Sequence, residues 1–299
     1  MGGGSWTKSA FRSYSAKINR DVDSDGYSST QNMFTKRGLD ESLDIKNKIR
    51  ECCDTEEHPN TIPVILALDV TGSMGDACKR VAQSLNVIMT DLYSKFKDIE
   101  FMVMAIGDLA YDDAPIQASQ FESDIRIAEH TDKVWFEAGG GGNLFESYTA
   151  AWFVGVNCCK LDCWQRGKRG IIITLGDEPL NPYLPWSNLK DSIGGQFNIT
   201  EDVLTADLYK QVTELYDVYH IAVNDPATAY SSYATSIQNT WGKLLGDNLK
   251  VSTLKSLPQT IVACISNSVD SSDSVSFETA QTISEPEVAV AGGMQEITW

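Results

Sequence analysis

Residues 63–76, PVILALDVTGSMGD, decide the fold. An unbroken apolar run ends in Asp69, and Thr71, Gly72, Ser73 and Gly75 follow it at once. Apolar residues with no polar alternation read as a strand, here residues 61–69, buried on both faces of a sheet. Such a strand belongs to a parallel sheet covered by helices, and the residues after it lie where a ligand would sit.

The chain downstream carries the same signals in alternation. Ala77, Val81, Leu85, Ile88, Leu92 and Phe96 step by three and four, one stripe of a helix over residues 76–97. IEFMVMAIG (99–107) reads as the next strand and KVWFEA (133–138) as a short one. A helix is expected over 143–159, then a strand over 169–176 closed by DEPLNP. Helices at 205–216, 231–245 and 258–269 alternate with strands at 217–224 and 249–254, and Pro258 opens the last helix. Strands separated by helices of this length predict one doubly wound α/β domain over 61–268, a mostly parallel sheet with helices on both faces. Residues 1–60, polar and rich in Ser, Asp, Asn and Lys, read as an N-terminal arm packed on that domain, with a short helix near 40–50. Residues 269–299 read as an acidic, Ser-rich tail, flexible unless a partner holds it.

Composition narrows the function classes. The 299 residues carry 24 Lys and Arg against 41 Asp and Glu, a net charge of −17. Such a chain is repelled by phosphate backbones and anionic lipid, which argues against nucleic-acid and membrane partners. It suits cations and basic proteins. No run reaches the roughly 18 apolar residues of a membrane helix. The first residues lack the apolar core of a signal peptide, and Trp6 stands where a myristoylation pattern wants Ser or Thr. The seven cysteines are odd in number, with adjacent pairs at 52–53 and 158–159, a poor disulfide framework. Reduced thiols on helix faces in a cytoplasm are the expectation, with a zinc site from Cys158, Cys159 and Cys163 as the competing reading.

Polar clusters recur at the carboxyl ends of the expected strands. Asp69, Thr71 and Ser73 follow the first, and Asp108 ends the second. The glycines 139–142, then Asn143 and Glu146, precede a helix, and Asp177 and Glu178 follow the central strand. Asp-x-Thr-x-Ser sets three oxygen donors on one turn, with no thiolate or imidazole, which selects a hard cation such as Mg²⁺ or Mn²⁺ over zinc. Neutral hydroxyl ligands leave the ion electron-poor and able to accept a further carboxylate. Each feature has a plainer reading. Asp108 serves a strand cap as well as it serves a metal-bound water, and Glu146 and Glu178 serve as helix-start or loop charges. The glycine run lacks the lysine of a phosphate-binding loop. His58, His130 and His220 are scattered and take no role.

DVTGSMGD resembles the first signature of the von Willebrand factor A (VWA) domain, whose metal-ion-dependent adhesion site (MIDAS) uses Asp-x-Ser-x-Ser, with Thr71 here in place of the first serine. The likeness implies a second element at GGGGNLFES, where Asn143 matches the family's Thr or Asp. It implies a third at ITLGDEP, where Asp177 stands later than the family's usual aspartate. Stretches over residues 1–180, among them MGGGSW, RECCDTEEHPN and CWQRGKRGIIITLGDEP, are similar to a group of bacterial and phage A-domain proteins. That similarity implies a prokaryotic or phage origin and an arm that belongs to the unit.

Three functions follow. The first is a metal-dependent protein-binding module with no enzymatic step. Asp69, Thr71, Ser73, Asn143 and Asp177 hold Mg²⁺ (or Mn²⁺ or Ca²⁺), Asp108, Glu146 and Glu178 stand behind them, and a partner protein supplies a Glu or Asp. The second is a structural or assembly subunit of a phage particle or prokaryotic complex, a homo- or hetero-oligomer in which the metal only stabilises. Trp6 and Trp299 are then anchors on a neighbour. The third is a phosphatase with Asp69 as nucleophile, but Thr71 stands where a second acid is needed and Lys168 precedes a strand instead of following one.

Overall fold

In the computed structural model, which describes residues 4–138 and 145–274, the apolar run forms strand β1 (Ile62–Asp69) in the interior of a six-stranded sheet. The other strands are β2 (Ile99–Ile106), β3 (Ile116–Ala118), β4 (Gly170–Gly176), β5 (Tyr216–Val223) and β6 (Leu249–Ser252), in the order β6-β5-β4-β1-β2-β3. All pairings are parallel except that of β3, which runs antiparallel along β2 at one edge. This is the doubly wound α/β architecture that the alternating pattern predicts.

Pleating sends alternate side chains to two cores. Val64, Leu66 and Leu68 face one core, filled by helices α1 (Lys8–Lys17), α2 (Gly75–Lys95), α3 (Arg126–Lys133) and α8 (Leu257–Ser274). Ile65 and Ala67 face the other, beneath α4 (Ala150–Asn157), α5 (Trp186–Ile193), α6 (Thr205–Leu215) and α7 (Tyr230–Ile237). The predicted stripe of α2 is buried from Ala77 to Leu92, while Phe96 caps the helix half-buried. In α4 the residues Ala150–Gly155 are all buried, so the helix shows no amphipathic period.

Four expectations fail, each for a local reason. KVWFEA is not a strand, because its backbone bonds go to a side chain: Gln117 Nε2 donates to the Trp135 carbonyl, and the Trp135 N–H donates to Gln117 Oε1. The sheet edge is taken instead by β3. No helix forms near 40–50, where the chain makes turns that Arg50 ties down by donating to the carbonyls of Ser42, Asp44 and Ala118. The helix expected over 143–159 begins only at Ala150, and Cys159–Leu161 forms a short parallel ribbon with Arg50–Cys52. Trp6 is no exposed anchor: its ring is buried against Phe11, and its indole N–H donates to Asn86 Oδ1 at 3.2 Å. Asn143, the glycine run and Trp299 lie outside the described residues, as does the tail beyond Ser274. No helix among the described residues is long and apolar enough to cross a membrane.

Since Trp6, Phe11, Leu43 and Ile45 are buried in the two cores, residues 1–60 contribute to stability. Trp6→Ala should lower the unfolding free energy by about 3–5 kcal/mol, the usual cost of removing a buried aromatic side chain. Urea denaturation followed by circular dichroism measures it; a loss below about 1 kcal/mol would show that the arm is dispensable.

Candidate functional site

Strands β1 and β4 are neighbours, yet the chain leaves β1 for α2 on one face and β4 for α5 and then α6 on the other. Diverging connections open a crevice at the carboxyl ends of the two strands. Asp69 is the last residue of β1, and Asp177 follows directly on Gly176, the end of β4.

Asp69 is fully buried and accepts three hydrogen bonds. The Thr71 N–H (2.9 Å) and hydroxyl both donate to Oδ1, a local turn that the Asp-x-Thr spacing makes available. The Tyr148 hydroxyl donates to Oδ2 at 2.7 Å. The same hydroxyl accepts the Asp177 N–H at 3.3 Å, so one tyrosine clasps both strand ends. Asp177 Oδ2 accepts the N–H of Ala229, which precedes α7, at 2.6 Å, and the nearby Ser73 side chain works against the rise in its proton affinity. Its Oδ1 is buried without a partner among the described residues.

Three more acids surround the pair. Asp108 Oδ1 accepts the Ala110 N–H, while its Oδ2 is buried with no partner among the described residues. Glu146 is buried, its Oε2 without a partner among the described residues, and is held by a turn in which Ser147 bonds to Gly107 and Leu109. Glu178 is half-buried. Among the described residues none of the five acids pairs with Lys, Arg or His. Their proton affinities register this. Burial, then the Asp177 charge, pushes Asp69 up to about 7 against its own hydrogen bonds. Burial, then the charges of Asp69, Glu178 and Asp108, lifts Glu146 to about 10. Burial, with Asp177 and Asp108, raises Glu178 to about 7, and burial raises Asp177.

The structure therefore gathers Asp69, Thr71, Ser73 and Asp177, with Asp108, Glu146 and Glu178 in electrostatic reach; Asn143 falls outside the described residues. Among the described residues no three His, Cys, Asp or Glu side chains converge closely enough to hold an ion alone. A site here needs the hydroxyl oxygens as well. The same finding removes the zinc reading of Cys158, Cys159 and Cys163, which are buried free thiols, with burial pushing Cys158 and Cys163 up to about 12.

Sequence reasoning missed Tyr148, Ala229 and His220. Tyr148 is wedged at the end of β4, where a side chain on residue 176 would run into its ring; Gly176 leaves that room. His220 stacks on Trp241 at 3.9 Å and meets Tyr148 edge-on at 5.3 Å. Burial holds it neutral, at about 3, beside the Thr174 hydroxyl. One signal was available: tyrosine is a poor choice inside an otherwise apolar helix unless its hydroxyl has a partner.

No family model matches the sequence, and no curated protein matches it. Among solved structures the chain is similar to the pilus adhesin SpaC from Lactobacillus rhamnosus GG in its open conformation, with TM-score 0.46 and 11% identity over 75% of this chain and 31% of that one. A second SpaC structure gives 0.45 and 9% over 76% and 32%. Proximal thread matrix protein 1 from the mussel byssus gives 0.41 and 12% over 74% and 48%. The chain thus spans a third to a half of those proteins, and likenesses at these scores carry no argument about its function.

Two outcomes follow from the geometry. Tyr148→Phe keeps the ring but strips a donor from a buried carboxylate, and should destabilise by about 1.5–3 kcal/mol in urea melts at pH 8. A neutral result would mean that the hydroxyl does not hold the site. In chelator, stability should fall as pH rises from 6.5 to 8. The folded chain retains protons on Asp69, Glu178 and Glu146 (about 7, 7 and 10) that unfolded carboxyls release near 4, so unfolding sheds protons in this window. Below 6.5 the buried neutral His130 and His220 (about 4 and 3) act in the opposite sense. Glu146→Gln should flatten the slope above 6.5; an unchanged slope would place its origin elsewhere.

Proposed function

We propose that the chain is a metal-dependent protein-binding module of the VWA type, with a MIDAS-like site built on Asp69, Thr71, Ser73 and Asp177 and completed by Asn143. The observation that carries this reading is the pair of buried carboxylates from adjacent strand ends, one with an unpartnered oxygen and neither with a counter-charge. Buried charges are ordinarily paired or coordinate metals. The donor set fits a hard cation, Mg²⁺ or Mn²⁺ with Ca²⁺ as the larger option, because carboxylate and hydroxyl oxygens are its preferred ligands. Such an ion supplies one open coordination position for a Glu or Asp of a partner protein.

The chain's own residues do the positioning. Thr71 gives its hydroxyl proton to Asp69, which leaves the oxygen lone pairs turned outward as a neutral ligand. Tyr148 fixes the Asp69 carboxylate, and the Ala229 N–H fixes that of Asp177, leaving Oδ1 as the open donor. The unpartnered oxygens of Asp108 and Glu146 are acceptors for ordered water at the rim. The reading assigns no catalytic step. A reducing, cytoplasmic setting in a prokaryotic host or phage belongs to it and is supported by the buried free thiols. With Trp6 in the core, the assembly-subunit reading loses one of its two proposed anchors.

The test is thermal melting with Mg²⁺ or Mn²⁺ and with EDTA. An ion at a hundred times its dissociation constant adds about 2.7 kcal/mol to native stability, a shift of several degrees for a domain of this size. Asp69→Asn should abolish the shift, and capture of an acidic peptide or protein should need the ion. No shift in the wild type would remove the support for the reading.

A further inference from the structure

Residues 183–204, a lobe between β4 and α6, take no part in the carboxylate site. Within it Tyr183–Leu184 pairs antiparallel with Val203–Leu204, and α5 crosses between them. Between this lobe and the flank of α4 and α6 lies an open groove of about 1000 Å³. Its apolar lining includes Phe153 and Phe197, packed edge-to-face at 6.3 Å, and Ile199. Trp186 and Leu204 also line it. Seven large apolar side chains are exposed among the described residues, and three of them, Tyr183, Trp186 and Leu204, belong to this one ribbon and the helix beside it, with Tyr183 directly opposite Leu204. An aromatic and aliphatic cluster left in water beside a groove marks an interaction surface.

The charge of the lining selects the occupant. Glu201, Asp202 and Asp207 border the groove, and no Lys, Arg or His among the described residues lines it. Asp202 spends one oxygen on the Trp186 N–H, and Asp207 shares its charge with Lys210, which lies outside the lining. Glu201 forms no ion pair among the described residues. We propose that the groove docks a peptide segment carrying Lys or Arg beside an apolar side chain. The apolar group covers Phe197 and Leu204, and the cation lies between Glu201, Asp207 and the face of Trp186, where ring and carboxylates attract it together. An acidic segment meets only repulsion, and a neutral ligand leaves the carboxylates unmatched. None of these residues belongs to the carboxylate site, so docking proceeds without metal.

Selection from a library of short random peptides displayed on phage, in EDTA at physiological ionic strength, tests this. Enriched sequences should combine Lys or Arg with Leu, Ile or an aromatic residue. Their affinity, read by fluorescence anisotropy, should fall about ten-fold or more in Trp186→Ala and in the pair Glu201→Gln, Asp207→Asn. All three positions are exposed, so the variants should melt like the wild type, and adding Mg²⁺ should leave binding unchanged. Enrichment of acidic or neutral peptides, no enrichment, affinity that survives both variants, or binding of neutral oligosaccharides in place of peptides would each overturn the proposal.

Discussion

Two carboxylates with no counter-charge set the terms for one whole end of this molecule. Asp69 and Asp177 stand where they do because β1 and β4 are adjacent parallel strands that end together, and the topology buries what stands at their ends. Charge of one sign in a low-dielectric site is costly, and raised proton affinities are the measure of that cost. Much of the nearby structure offsets it. Thr71 and Tyr148 donate to Asp69, and the backbone at the start of α7 donates to Asp177. His220 and Trp241 in turn pack Tyr148 in place, and the absence of a side chain at Gly176 lets its hydroxyl reach both strand ends.

How much of this the sequence disclosed depends on whether the signal was local. The interior strands were legible because each is a continuous apolar run, and α2 because its stripe keeps one period for five turns. Asp69, Thr71 and Ser73 were legible because their relation is set within five residues. What failed was decided across the chain. KVWFEA has a strand's composition, yet the amide of Gln117 satisfies the backbone of Trp135. ESYTAAWF reads as one helix, but its first residues form the turn that holds Glu146 and Tyr148, and only the tertiary partners Gly107 and Asp69 show why. Trp6 reads as a loose terminal aromatic until Asn86, 80 residues away, accepts its N–H.

β4 runs through Gly176, so Asp177 is the first residue beyond the strand, on the same rim as Asp69. A tyrosine from the turn before α4 bridges the two strand ends, and Gly176 makes room for it.

Under the proposed reading, the choice of hydroxyls over further carboxylates governs what the site can accept. Every carboxylate bound directly to an ion lowers its demand for another, and five on one ion would leave none. The acids at this rim are therefore divided. Asp69 is tied into the turn that carries Thr71, whereas Asp177, Asp108 and Glu146 each keep an oxygen free of any protein partner among the described residues. Burial, then the charges of Asp69, Glu178 and Asp108, raises the proton affinity of Glu146 and so weakens its competition for the ion. Two carboxylates and neutral oxygens leave a divalent ion near neutrality, and a partner's carboxylate can then enter without meeting excess negative charge. The rim's acids thus favour capture of the cation, and its hydroxyls preserve the appetite of that cation for an acid from outside.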